Sequence, residues 1–335
     1  MRIFDSIRGP GCVNIEKVYE LITGLWILFF SIDTRPPVLF NAHLSGGSVS
    51  DNSELFFLEL LSEIVETSFY TSSVRDEIPV SLILVGPSGS AKSKLIRRYT
   101  SEQIHTTDSL TSQGIWEIAQ RDTKGEKRFI FMPDINPTLS RRSSTQQATI
   151  GNLLTLTGDG TVRIDDGRGE KICQHAPMGM ITACTPEIYH RHSRHWYALG
   201  LIRRIIPVFY SYSSKTQDAL QKLVRDGKIH ASFGMPKQIL LPPSARPALS
   251  NSDTLMEFEG KSKDLAHNLG KIQYLEKGIK RWQIKNVVPI SPHVTIRTLA
   301  MAHALRRRSA KVEDIEVEFI KDFVSFTDPE APRQL

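Results

Sequence analysis

Cysteine is scarce in this sequence. The 335 residues include only Cys12, Cys173 and Cys184, which form neither a CxxC pair nor an even set that could build a disulfide framework. A few scattered thiols are typical of a reducing compartment. We therefore expect an intracellular, cytoplasmic protein.

Long apolar runs are also missing. The most apolar stretch, LITGLWILFFSI at 21–32, is far shorter than the roughly 20 residues that a membrane-spanning helix needs. Acidic Asp5 and Glu16 precede it, which disfavours a signal peptide. We expect a buried helix or strand here, with a membrane-associated segment as the alternative, and no membrane span.

The sequence has neither an internal repeat nor a low-complexity segment. Hydrophobic residues make up 40% and charged residues 23%, as in ordinary soluble globular proteins, and the length suits about two domains. The formal net charge of +6 permits contact with a nucleic acid without requiring it.

Short apolar runs alternate with helical patterns between residues 51 and 240. Each run is typical of a buried, parallel strand. Strands that alternate with helices predict an α/β core, in which helices flank a parallel sheet. The runs lie at 80–86, 128–134, 179–186 and 202–213.

Three segments differ from this core. Residues 1–50 form a leader of unknown role. The proline-rich LLPPSARPAL at 240–249 predicts a linker. From 250 to 328 the pattern predicts a small all-helical domain, and SPHVTIRTLAMAHALRRRSA is its clearest helix.

A phosphate-binding loop follows the first apolar run. GPSGSAKS fits the pattern GxxxxGK[ST] except at Ala91, and a strand precedes it while a helix follows it. In such a loop the backbone N–H groups surround the phosphates of ATP, Lys92 pairs with the β and γ phosphates, and the Ser93 hydroxyl binds Mg²⁺. The alternative is a glycine–serine turn before an ordinary helix. The predicted cofactor-binding residues are Gly86, Pro87, Ser88, Gly89, Ser90, Ala91, Lys92 and Ser93.

The methyl group of Ala91 sets a condition on this loop. Alanine is tolerated there if its φ is negative, and it could weaken binding if the loop requires a positive φ.

A second magnesium ligand is expected at the end of the strand in FIFMPD. Asp134 occupies that place and would hold the ion through a water, although such an aspartate can also cap a turn. Ile135 stands where an activating glutamate is expected, so hydrolysis could be weak. If turnover is brisk, Glu117 and Glu187 are the first candidates for activating water.

Over residues 54–325 this order of elements resembles the AAA+ ATPases. The phosphate loop and Asp134 resemble Walker A and Walker B. The resemblance implies a sensor-1 role for Thr185, where the family more usually has Asn, and an arginine-finger role for Arg204, favoured over Arg203, on nucleotide bound by a neighbouring subunit. It also implies a sensor-2 role for Arg297. These arginines could instead be surface charges, and Thr185 an ordinary strand end.

Two further segments add to the resemblance. The helix and hairpin predicted at 149–171 resemble the insertion of the helix-2-insert branch, which includes minichromosome-maintenance helicases, magnesium chelatases and MoxR-type ATPases. The residues 295–317 resemble the lid domain of the same relatives.

Two basic stretches support less specific predictions. YHRHSRHWY at 189–197 predicts a basic loop that contacts another subunit or a polyanion, with a metal site as the alternative. Arginines 306–308 predict a solvated helix face or a nucleic-acid patch.

Three functions follow from these patterns. The leading hypothesis is an oligomeric, ring-forming ATPase that acts on DNA or a protein partner as a motor or remodeller, for example a helicase-like protein of DNA replication. The alternative is a nucleotide-dependent switch with weak or no hydrolysis, which Ile135 favours. A small-molecule kinase with a P-loop is the third, and the predicted helical domain argues against it.

Overall fold

A computed structural model describes residues 58–122, 126–165, 169–227, 237–249, 252–276 and 279–335. They belong to one compact unit. The predicted leader, the apolar stretch at 21–32 and Cys12 lie outside the described residues. None of the described helices is long and apolar enough to cross a membrane.

Helices and strands alternate along most of the chain. In order they are α1 (Glu59–Tyr70), β1 (Ser81–Val85), α2 (Lys92–Arg97), β2 (Tyr99–Thr100), β3 (Ile104–Thr106), α3 (Ser112–Arg121), β4 (Phe129–Met132), α4 (Asn136–Leu139), α5 (Ser143–Gly158), β5 (Thr161–Asp165), β6 (Glu170–Gln174), β7 (Gly179–Cys184), α6 (Pro186–Leu199), β8 (Ile205–Ser211), α7 (Ser214–Arg225), β9 (Lys237–Gln238), β10 (Ala248–Leu249), α8 (Ser252–Gly270), β11 (Lys271–Glu276), β12 (Ile279–Ile284), α9 (Ile290–Arg306), β13 (Lys311–Val312), α10 (Asp314–Ser325) and β14 (Arg333–Gln334).

The core of the protein is a six-stranded parallel sheet with the order β14-β8-β1-β7-β4-β3. Every residue of β1, β4 and β7 is buried, as continuous apolar runs such as SLILV and FIFM predict for strands covered on both faces. The predicted α/β fold and its four buried strands are confirmed.

A hairpin interrupts the segment that was predicted to be all-helical. Helix α9 packs against α1, α8 and α10, but β11 and β12 form an antiparallel pair between α8 and α9. The other hairpin, β5–β6, confirms the hairpin that the sequence predicts after the helix at 149–171.

The basic stretch at 189–197 is helical and not a loop. It lies within α6, where Pro186 occupies the first turn and Gly200, with φ 80°, ends the helix. Proline suits the first turn because the N–H that it lacks would have no partner there, and a left-handed glycine is the common end of a helix.

A cluster of ion pairs around the buried His303 connects α9 to α1 and α10. His303 lies between Glu316, 2.9 Å from its Nδ1, and Glu63, 3.1 Å from its Nε2. Arg306 pairs with Glu63, and Arg307 pairs with Glu316 at 2.7 Å. Two of the three arginines at 306–308 therefore have a structural role, because they neutralise these carboxylates.

Candidate phosphate-binding site

The glycine-containing loop joins the end of β1 to the start of α2. Since β1 lies between β7 and β8 in a parallel sheet, the residues that follow β1, β4, β7 and β8 emerge at one edge. Ligands of such sheets bind in the crevice beyond the carboxyl ends of the strands.

Two tyrosines from β8 and its extension support the loop. The hydroxyl groups of Tyr210 and Tyr212 both donate to the carbonyl oxygen of Ser90, each over 2.9 Å. A Cβ on Gly86 would lie 2.9 Å from the Tyr210 ring, so glycine is needed for this close approach. Sequence reasoning missed both tyrosines, although their i, i+2 spacing at a strand end is a signal for side chains on one face.

Ala91 adopts a left-handed conformation, with φ 62° and ψ 13°. The φ of Ala91 is therefore positive, which is the case in which alanine could weaken binding. A Cβ in this region costs about 1–2 kcal/mol. Gly89 has a φ of 77°, which glycine adopts readily.

The ammonium group of Lys92 lies inside the curve of the loop. It donates to the carbonyl oxygens of Gly86 and Pro87 over 2.7 and 2.6 Å. Burial lowers the pKa of Lys92, while the charges of Asp134 and Glu187 act in the opposite direction. Both carboxylates thus favour the charged form of this ammonium group.

Ser93 and Asp134 are neighbours in space. The Ser93 hydroxyl donates to the carbonyl oxygen of Pro133 over 3.2 Å, which places it beside the residue after Pro133. The exposed Asp134 carboxylate accepts the Asn136 N–H over 2.9 Å through Oδ1. This bond is the predicted turn cap, and it engages Oδ1 of the carboxylate.

These groups fit Mg²⁺-ATP. Lysine and loop N–H groups suit phosphates, whereas a hydroxyl beside a carboxylate suits a hard cation. A cavity of about 620 Å³ lies next to the loop, within the usual size of small-ligand sites. Besides the loop residues and Lys94, it is lined by Tyr212 and by four residues of α7, which are Leu220, Gln221, Val224 and Arg225.

Ile135 points away from this edge. Its side chain is 2% exposed and shares a small apolar cavity with Ile83, Tyr189 and Trp196. Its N–H donates to the carbonyl oxygen of Ala183 over 3.0 Å. A side chain at this position therefore belongs to the core and not to the phosphate site.

Thr185 and Glu187 follow β7 at the phosphate edge. Thr185 is the residue before α6, and Glu187 lies in the first turn of that helix. The backbone N–H of Glu187 and the hydroxyl group of Thr185 lower the pKa of the Glu187 carboxyl group. Glu117 lies on α3, where it pairs with Arg121 over 3.2 Å.

Arg204 lies at the edge of the sheet formed by the amino ends of the strands, opposite the edge that carries the phosphate loop. It precedes Ile205, which pairs with Ser81 at the start of β1, whereas the loop begins after Val85 at the end of β1. The two edges are separated by about 16 Å at roughly 3.3 Å per residue. The guanidinium group lies against Gly158, where an added Cβ would be 1.7 Å from Nη1.

Arg297 also lies near the start of β1, not near the loop of its own chain. Its guanidinium group pairs with Glu77, whose side chain is only 5% exposed and which also pairs with Arg246 at 3.4 Å. Arg203 and Arg204 line a neighbouring cavity of about 570 Å³. One chain therefore brings together Lys92, Ser93, Asp134 and Thr185, but neither Arg204 nor Arg297.

The histidines of α6 are dispersed around the helix. His190 contacts the ring of Trp282, and His192 stacks on Trp196. In the part of the chain that the structure describes, no three His, Cys, Asp or Glu side chains form a group that could hold a metal ion.

No protein-family model matches this chain, and no curated protein is similar to it in sequence.

Proposed function

We propose that this chain is a P-loop ATPase of the AAA+ type, which binds Mg²⁺-ATP and works in a homo-oligomeric ring on DNA or a protein partner. The observation that carries the proposal is the placement of Lys92, Ser93 and Asp134 at the carboxyl edge of the central strands. A lysine and a hydroxyl at the end of a glycine loop, beside a carboxylate, are the groups that a triphosphate and its Mg²⁺ need.

In this proposal each residue has a defined task. Lys92 exchanges its bonds to the loop carbonyl oxygens for the β and γ phosphates, and loop N–H groups hold the remaining oxygens. Ser93 and Asp134 bind Mg²⁺, directly and through water. The ion would neutralise charge on the β and γ phosphates. Thr185 orients the attacking water.

The position of Arg204 supports a site shared between subunits. An arginine at the far edge of the sheet is too distant to reach the nucleotide of its own chain. In a ring, however, that edge can face the phosphate edge of the next chain. There Arg204 would stabilise the charge that develops on the γ phosphate.

The segment 250–328 is proposed as the lid. Its helices α8, α9 and α10 pack on one another and on α1. For Arg297 to act as sensor 2, it would leave Glu77 and contact the nucleotide of a neighbouring subunit.

A nucleotide-dependent switch with weak hydrolysis is the second candidate. The buried position of Ile135 favours it, because the usual place of the activating carboxylate belongs to the apolar core.

Binding and turnover together test the proposal. We expect a fluorescent ATP analogue to bind with Mg²⁺, and ATP turnover per chain to rise with protein concentration as subunits associate. Adding single-stranded DNA, double-stranded DNA or neither would show whether DNA stimulates it. Absence of binding would contradict the ATPase and the switch alike, whereas binding without turnover would favour the switch.

A further inference from the structure

One carboxylate follows the strand that lies between β1 and β4. Strand β7 is hydrogen-bonded to β1 on one side and to β4 on the other. The residues after β7 therefore emerge between the loop after β1 and Asp134 after β4, with neighbouring strands about 4.8 Å apart. Glu187 is the first acidic residue in this position.

We propose that Glu187 is the catalytic residue that activates the attacking water, in the role that a carboxylate at position 135 cannot fill. This inference rests on the proposed ATPase function and deepens it.

The surroundings of Glu187 suit this role. Its charge favours the charged form of Lys92, as does that of Asp134, so both carboxylates act on the ammonium group that is proposed to hold the phosphates. Its side chain is exposed to solvent, from which a water can enter. The residue's own N–H and the Thr185 hydroxyl lower the pKa of this carboxyl group, which favours the ionised form that a general base needs.

The chemistry is a simple hydrolysis. Ionised Glu187 accepts one proton from the water as its oxygen forms a bond to the γ phosphorus. The bond from that phosphorus to the β–γ bridging oxygen breaks, and ADP keeps the electron pair. The proton then leaves Glu187 for solvent, so that ADP and inorganic phosphate are the products.

Glu117 provides a matched control. It is the other acidic candidate named from the sequence, but it lies on α3 and pairs with Arg121 and Gln113. The same change at Glu117 removes one carboxylate without touching the phosphate edge.

The experiment measures analogue binding and ATP turnover for wild type, Glu187→Gln, Glu187→Asp and Glu117→Gln. We expect Glu187→Gln to bind the analogue within threefold of wild type and to lose at least about 10²-fold in turnover, the usual contribution of a general base. Glu187→Asp should recover part of the rate, and Glu117→Gln should match wild type.

Three results would overturn the assignment. They are turnover of Glu187→Gln within about threefold of wild type, a loss at Glu117→Gln equal to that at Glu187→Gln, and a wild type that binds the analogue without hydrolysing ATP. Each leaves nucleotide binding intact. If the wild type does not bind the analogue, the proposed function itself fails.

Discussion

Ser93 and Pro133 are joined by a hydrogen bond of 3.2 Å from the serine hydroxyl to the proline carbonyl oxygen. The bond links the loop after β1 to the end of β4, although β7 lies between these strands. Asp134 is consequently held beside the first turn of α2. Local sequence patterns identify Ser93 and Asp134, but only the strand order brings them together.

The left-handed Ala91 leads to a prediction about stability. Ala91→Gly should raise the free energy of unfolding by up to about 1 kcal/mol, because relief of the left-handed strain exceeds the added backbone entropy of glycine. Urea unfolding measures it. Gly89→Ala, at φ 77°, is the reverse control and should lower the free energy of unfolding by up to about 1 kcal/mol for the same reasons. A lower stability for Ala91→Gly would contradict the assigned conformation.

A glutamate placed at position 135 should not raise ATP turnover. Ile135→Glu puts a carboxylate among Ile83, Tyr189 and Trp196, and should destabilise the fold by about 3 kcal/mol or more. Ile135→Val should cost only about 0.5–1.5 kcal/mol. Chemical unfolding and ATP turnover test both variants. A stable, faster Ile135→Glu protein would show that the side chain faces the phosphate site.

Because Arg204 lies at the edge of the sheet opposite the phosphate loop, two inactive variants should restore activity when they are mixed. Arg204→Ala should lower turnover by about 10³-fold, as loss of an arginine finger does, with little change in analogue affinity. Mixing it with Lys92→Ala subunits should restore part of the activity. The control is Arg203→Ala, at the neighbouring residue, which should lower turnover by less than Arg204→Ala does. No rescue, together with activity per chain that is independent of dilution, would refute a shared site.

The buried cluster around His303 should make stability depend on pH. Burial would lower the pKa of His303, but the carboxylates of Glu316 and Glu63 outweigh it and raise the pKa above the ordinary value of about 6.5. The stability due to this shift is fully present below pH 6.5 and is lost as pH rises through the raised pKa.

Urea unfolding between pH 6 and 9 measures this loss. His303→Gln should be less stable than wild type at pH 6 and should show a weaker pH dependence over that range. A pH dependence equal to that of wild type would place the responsible group elsewhere. The pKa values of Glu63 and Glu316 are lowered in the folded protein. The stability that these two carboxylates contribute is therefore lost at acid pH, as pH falls through their lowered pKa values.

Periodicity predicted most of the sheet because its strands are continuous apolar runs bounded by turns. It failed for α6, since the histidines and arginines of 189–197 obscure the single buried face formed by Tyr189, Ser193 and Trp196. The loop and Asp134 were recognisable from local patterns. The supporting tyrosines and the far-edge position of Arg204 were not, because both depend on which strand lies beside β1.

The most direct test of the central claim is the affinity of Lys92→Ala for a fluorescent ATP analogue in the presence of Mg²⁺. Loss of the ammonium group that the loop surrounds should weaken binding at least tenfold, about 1.4 kcal/mol or more. Lys222→Ala on α7, the same change outside the residues that line the cavity, should bind as wild type. Equal affinity of Lys92→Ala and wild type would contradict a phosphate-binding role for this loop.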